Sequence, residues 1–321
     1  MSQPTNLRAR VRQYLRERRR LGFQLRSMEY ALHSFAHHVD KLENPRPLTV
    51  ELMAEWARRD QAVSNDPRTW ARRLKLLRPF THWLQQFEPR TEVPDDAIFG
   101  RSGERLTPHI YGEQELVDLL AAARHLRPDL RGATYEALFG LLAATGLRVS
   151  EAVRLRTGDV DLKTGMLTIQ RTKFAKSRQV PLHPSTVEAL RRYRRLRDPL
   201  IEFTEDTPFF VGSRGQRRGH QLSTRQVDRM FAHLRTQLAW TNRGAHSTPR
   251  VHDLRHTFVV RRMIAWHAQG VDIDQAMLAL STYVGHAMVT NTYWYLTAVP
   301  ELMGLAAAKF EARMSPEVCH A

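Results

Sequence analysis

The chain has 321 residues, 42% of them hydrophobic, and carries 49 Lys and Arg against 33 Asp and Glu, a formal charge of +16. This suits two packed domains of about 100 to 200 residues each and favours a polyanionic partner, nucleic acid first. No stretch approaches the roughly 18 apolar residues of a spanning helix and no apolar signal core opens the chain, so a cytoplasmic protein without membrane contact is expected; the single cysteine, Cys319, cannot build a disulfide framework or a cysteine-based zinc module within one chain.

Residues 7–20 set Leu7, Val11, Tyr14 and Leu15 at helical spacing and carry seven arginines, a basic face suited to phosphate. Helical periodicity continues over 30–39 and over 50–59, the latter with Thr49 as N-cap ahead of Glu51 and Leu52. A fourth helix over 67–87 places Trp70, Leu74, Leu77, Phe80 and Leu84 on one stripe. These four helices predict a small helical domain over residues 1–95. The stretches 88–96 and 101–108 hold prolines and charges without an apolar period, and 96–109 is read as a linker.

A longer domain is predicted over 110–321. A helix starts at Gly112 to Leu116, and residues 135–144 form a nearly all-apolar, buried helix. Strands at 166–170 and 178–182 flank a charged turn. Helices return over 186–197, 224–240, 254–267 and 274–280, and a tail over 301–314 spaces Met303, Ala306, Ala307, Phe310 and Met314 as a further helix. The expected fold is therefore mainly α with a small antiparallel sheet.

Chemistry-bearing residues collect in four places: Thr145-Gly146-Leu147-Arg148-Val149-Ser150-Glu151, the turn with Lys173 and Lys176, His252-Asp253-Leu254-Arg255-His256, and Gly285-His286 followed by Tyr295. Two fixed guanidinium groups suit a phosphodiester under displacement, because each is planar, bidentate and permanently charged. Arg148 follows a buried helix, with Glu151 near enough to orient it; taken alone it could equally cap the helix end. His252 and Arg255 stand at i and i+3 and share a helix face with His256. The His-x3-His pair also fits a zinc hydrolase, but Asp253 stands where that motif has Glu, and Arg255 would set a cation beside the metal.

The order Arg148, hairpin lysine, His252 with Arg255, His286 and Tyr295 resembles the tyrosine recombinase (phage integrase) family of site-specific DNA recombinases. The match covers nearly all of 110–300, through Thr-Gly-Leu-Arg-x-Ser-Glu, a hairpin ending in Val-Pro-Leu, His-x-Leu-Arg-His and Gly-His-x8-Tyr. It implies a tyrosine-recombinase catalytic domain behind a helical core-binding domain. It also implies an enzyme that cleaves and rejoins double-stranded DNA through a 3′-phosphotyrosine intermediate.

In that resemblance Arg148 and Arg255 clamp the phosphate, His252 matches the general acid/base, and His286 donates to a phosphate oxygen. Tyr295 is the nucleophile by its spacing from His286, and Tyr293, Trp294 and His256 fall to packing or support. Lys173, or Lys176 in the same turn, protonates the leaving 5′ oxygen. Thr172 and Phe174 flank Lys173 where the family often has glycine, and Val284 replaces a common leucine. An ordinary tyrosine is about one part in a thousand phenolate at neutral pH, a handicap of roughly 4 kcal/mol that a histidine base and bound phosphate would lessen.

Bond energy is kept in the covalent link, so neither nucleotide cofactor nor metal is expected. The resemblance further implies a C-shaped clamp on DNA and a tetramer on two duplexes, the tail docking in trans. Arg72, Arg73, Lys75, Arg217, Arg218 and Arg225 are candidate DNA-facing residues. A simple two-domain recombinase of a mobile element is expected; a catalytically silent DNA-binding protein of the same fold and a type IB topoisomerase are the alternatives.

Overall fold

Each half of the chain folds around a core of its own, with the division between Met1–Arg105 and Leu106–Ala321. The computed structural model describes residues 6–42, 47–59, 65–100, 103, 105–170, 177–202, 204–286, 288–298, 303, 304 and 307. Lys173, Lys176 and most of the tail expected over 301–314 lie outside the described residues.

The first unit consists of helices α1 (Leu7–Arg20), α2 (Arg26–Val39), α3 (Val50–Arg58) and α4 (Pro67–Leu84). Their apolar stripes meet: Val11 and Tyr14, Leu32 and Phe35, Met53 and Trp56, and Leu77 and Phe80 are all buried in one cluster. Thr49 caps α3 as its sequence suggests, its hydroxyl accepting the Leu52 N–H at 3.3 Å. Helix α2 starts four residues before the predicted Tyr30, because Leu25 takes a left-handed φ of 49° and redirects the chain there.

The second unit is built on α5 (Glu113–Arg124), the buried α6 (Asp129–Thr145), the short α7 (Val149–Ala152), α8 (Pro184–Arg197) and α9 (Thr224–Leu238). A three-stranded antiparallel sheet runs β1 (Val160–Asp161), β2 (Met166–Ile169), β3 (Arg178–Pro181). Leu167 pairs with Val180, and both are fully buried. Strand β1 is two residues long, too short to show a period, so the sequence signals only its two partners. The chain entering this unit is already packed: His109 and Tyr111 are each 1% exposed, and Tyr111 N–H donates to Thr257 Oγ1 at 2.9 Å.

Helices α10 (Asp253–Ala268), α11 (Ile273–Val284) and α12 (Thr290–Ala298) complete the unit. They enclose a smaller apolar cluster of Val259, Val260, Met263, Met277, Leu280, Val284 and Tyr295. No helix among the described residues is long and apolar enough to cross a membrane.

Helix α6 ends where Gly146 takes φ 62° and its N–H returns to Leu142 O at 2.9 Å, which reverses the chain into Leu147 and Arg148. A Cβ at Gly146 would lie 2.6 Å from Phe258 Cδ1, whereas one at Gly140, inside α6, would meet nothing nearer than 3.8 Å. Gly146→Ala is therefore expected to lower unfolding stability by about 1–3 kcal/mol through left-handed strain and overpacking. Gly140→Ala should be neutral or stabilising by up to ~1 kcal/mol. Denaturant midpoints at constant slope read both; equal effects would refute the account.

Candidate active site

The turn after α6, the first turn of α10, the α11–α12 turn and α12 itself converge on one cluster of side chains in the second unit. Arg148 stands at the N-cap of α7. Its backbone N–H donates to Glu151 Oε2 at 3.0 Å, its Nη1 to Glu151 Oε1 at 2.9 Å, and its Nη2 to Gly285 O at 2.8 Å. The side chain remains 30% exposed, so it can still reach a ligand.

Arg255, on α10, is only 3% exposed. Its Nη1 donates to Gly146 O at 2.6 Å and to Val284 O at 2.7 Å, while its Nη2 is buried without a hydrogen-bond partner. Burial, then the neighbouring Arg148 charge, brings its guanidinium down to about 10, which still leaves it cationic at neutral pH. An unpaired buried N–H costs about 1–3 kcal/mol. An anionic oxygen brought to Nη2 would recover it.

Glu151 holds the arginines apart and in register. Burial alone would raise its carboxyl, but hydrogen bonds from Arg178 and Arg148, with their charges, outweigh this and keep it below the usual carboxylate range. Arg178 binds both Glu151 oxygens, at 3.1 and 3.0 Å, and is absent from the residues singled out by sequence. The available signal was strand parity: Arg178 shares the inward face with buried Val180.

The histidines occupy distinct places. His252 precedes α10, in contact with solvent, and its ring lies 4.9 Å from that of His256 at 89°. Desolvation, then the charges of Arg255, Arg250 and Arg148, hold the His252 imidazole below the ordinary histidine value against the opposing pull of Asp253. Water at its exposed edge screens part of this repulsion, but all three arginines act in the same sense. Asp253 is fully buried and bound by Arg250, at 2.9 Å through the backbone N–H and 2.7 Å through Nη2.

His256, assigned by sequence to packing or support, contacts the key hydroxyl directly: its Nδ1 and Tyr295 Oη share a hydrogen bond of 2.6 Å. The i+4 spacing from His252 places it on the shared helix face, and this bond is the support it gives. His286 Nδ1 meets Thr292 Oγ1 at 2.7 Å, and its ring stacks on Tyr295 at 6.4 Å and 18°. Tyr295 is 0% exposed. Trp294 packs against it at 5.2 Å, but Tyr293, expected to pack there too, is 38% exposed.

Arg148, His252, Arg255, His286 and Tyr295 are thus brought together with His256, Glu151 and Arg178; Lys173 lies outside the described residues. Among the described residues no three His, Cys, Asp or Glu side chains group to hold a metal ion. The arrangement offers two cationic groups for a tetrahedral anion, a tyrosine hydroxyl in the same cluster, and one imidazole, His256, placed to accept its proton.

Residues 111–301 match the model of the phage integrase family. The chain is 36% identical over 314 residues to the "Putative integrase/recombinase y4rB" of Sinorhizobium fredii, covering 96% of this chain and 98% of the relative. It is 32% identical over 231 residues to the tyrosine recombinase XerC of Chromobacterium violaceum, covering 71% and 69%. Among solved structures the Tn1549 transposon integrase, in complex with transposon right end DNA, superposes with a TM-score of 0.67 at 17% identity, over 96% of this chain and 99% of that one. The XerH recombinase bound to a palindromic difH substrate gives 0.62 at 18%, over 91% and 80%. At these identities the structures establish a shared fold.

A dianion seated between Arg148 and Arg255 would cancel much of the charge that depresses His252. The His252 titration midpoint, read by NMR, is expected below 6.5 in the free protein and higher with sulfate. Reciprocally, sulfate should bind more tightly as pH falls through that range, since protonation and anion binding favour each other. A midpoint near 6.5 that sulfate leaves unmoved would contradict the geometry.

Proposed function

The chain belongs to the phage integrase family of tyrosine site-specific recombinases, and we propose that it breaks and rejoins double-stranded DNA through Tyr295. Arg148 and Arg255 bind the non-bridging oxygens of the scissile phosphate. Tyr295 Oη attacks phosphorus, the phosphorus–O5′ bond breaks, and a 3′-phosphotyrosine link and a free 5′-hydroxyl result. The phenol proton passes to an imidazole: His256 holds that hydroxyl, and the His252 ring lies against His256. A 5′-hydroxyl from a second duplex reverses the step, and Lys173 is the residue we assign to protonating the leaving oxygen. His286 donates to the phosphate and supports the tyrosine ring by stacking.

One observation carries the reading: Arg255 Nη2 is a buried donor without an acceptor in the same pocket as a tyrosine hydroxyl already hydrogen-bonded to histidine. With Tyr295 0% and Arg255 3% exposed, the arrangement is a resting one, and DNA must open it before attack.

The first unit is proposed to act as the core-binding domain, with residues 96–109 as linker and 110–321 as the catalytic part. Arg72, Lys75, Arg217, Arg218 and Arg225 are exposed and suited to phosphate contact. Arg73, expected beside them, instead lies over the Trp56 ring at 4.6 Å. A tetramer on two duplexes, a cytoplasmic location and service to a mobile element complete the proposal.

Incubation with nicked suicide DNA should trap a covalent protein–DNA complex. Tyr295→Phe should abolish it, and Tyr293→Phe should leave it intact. Persistence of the complex in Tyr295→Phe would sink the assignment.

A further inference from the structure

We propose that Arg178 is a positioning residue of the phosphate clamp, acting on Arg148 through Glu151 and on His286 through the C-terminal carbonyls of α11. It rests on the roles of Arg148 and His286 proposed above. Arg178 opens β3, 27 residues in sequence from Glu151 and more than 100 from α11's end, so it draws three distant segments to one point.

Every nitrogen of its guanidinium is engaged. Nη1 and Nη2 fork onto the two Glu151 oxygens at 3.1 and 3.0 Å, Nε donates to Tyr283 O at 2.9 Å, and Nη2 donates also to Val284 O at 3.2 Å. The side chain is 11% exposed. Four of its five N–H donors are used in these bonds and the side chain has little surface, which suits a positioning role better than a third phosphate clamp.

Its acceptors are the groups that fix the clamp. Glu151 receives both the backbone N–H and Nη1 of Arg148. The carbonyls of Tyr283 and Val284 lead directly into Gly285, whose own carbonyl takes Arg148 Nη2, and into His286. Three successive carbonyls before His286 thus carry arginine donors, from Arg178, from Arg178 with Arg255, and from Arg148.

Gly285 records the same constraint. At φ 72° it bears no Cβ, and one placed there would lie 2.6 Å from Arg178 Nη1. The backbone before His286 is therefore shaped to the guanidinium. Removing Arg178 would free Glu151 to rotate and relax the turn, displacing Arg148 and His286 while leaving both chemically intact. Displacement of about 1 Å at such groups costs on the order of a hundredfold in rate.

The test uses full-length Arg178→Ala, Arg178→Lys, Glu151→Gln and the Arg178→Ala/Glu151→Gln double variant. DNA affinity, single-turnover covalent complex formation at saturating suicide substrate, and hydrogen exchange over residues 281–290 and over α6 are measured for each. Arg178→Ala should keep native affinity but lose about a hundredfold in cleavage. Arg178→Lys should fall between, since a point charge cannot span both carboxylate oxygens and a carbonyl. Exchange should quicken at Gly285 and His286 but not in α6, and the double variant should lose no more than the worse single one.

Native cleavage in Arg178→Ala, a loss of affinity in step with cleavage, exchange quickened throughout α6, or additive losses would each overturn the proposal. Failure of the unmodified protein to form a covalent complex would instead refute the strand-cleavage reading. The exchange pattern and its dependence on Glu151 would still decide the place of Arg178.

Discussion

Guanidinium groups sharing the C-terminal carbonyls of one helix set the layout of the catalytic unit. Helix α11 ends with about half an elementary negative charge, the sum of its aligned peptide dipoles. Arg148, Arg178 and Arg255 all donate to the carbonyls at or just past that end. Glu151 neutralises part of their charge and bridges Arg148 and Arg178. Removing cations from water costs several kcal/mol each unless they are paired and hydrogen-bonded, so every acceptor here is structurally necessary. Positive charge still remains in excess. A phosphodiester bound as proposed would supply the missing anion, so the forces that assemble the cluster would also attract that substrate.

The tyrosine end of the pocket obeys the opposite economy. Tyr295 lies in an apolar cluster with Met263, Met277 and Val284, and its hydroxyl turns inward to His256. A buried hydroxyl needs a partner, and an imidazole that is itself 4% exposed provides one with little water nearby. Attack on DNA requires that this cage be opened. Binding energy from the wider basic surface is the available source, as remote contacts can be spent on rearrangement at the reacting centre.

Most of this was legible in sequence where the signal is local. The buried α6, the glycine that ends it, the basic α1 and the hairpin strands follow from spacing and turn chemistry within a few residues. The resemblance named Arg148, His252, Arg255, His286 and Tyr295 because their motifs are short and ordered. Strand parity put Arg178 on the inward face, but its role was illegible because that role lies in contacts with Tyr283 and Val284, over 100 residues away, which no window can contain. His256 was visible in part: helical spacing put it beside His252 in a supporting place, and only the placement of α12 brings the Tyr295 hydroxyl to it. Strand β1 escaped because two residues cannot display alternation, and Arg73 because an aromatic face can hold a cation that composition alone would send to DNA.

The division of the second unit into a large core and the small α10–α12 cluster has a mechanical meaning. Segments with few buried apolar contacts open at free energies below that of global unfolding, as separate cooperative units. The helix of Tyr295 packs into the smaller cluster, whereas Leu138, Phe139 and Phe231 belong to the larger. With Tyr295 as the proposed nucleophile, local opening of that cluster would free its helix while the scaffold carrying Arg148 stays folded. The excursion is graded by the stability of seven buried side chains and not by that of the whole domain. On the proposed role of Tyr295, reactivity would then follow a local folding equilibrium, and Met263 and Leu280, buried in the same cluster, would bear on the rate without touching DNA.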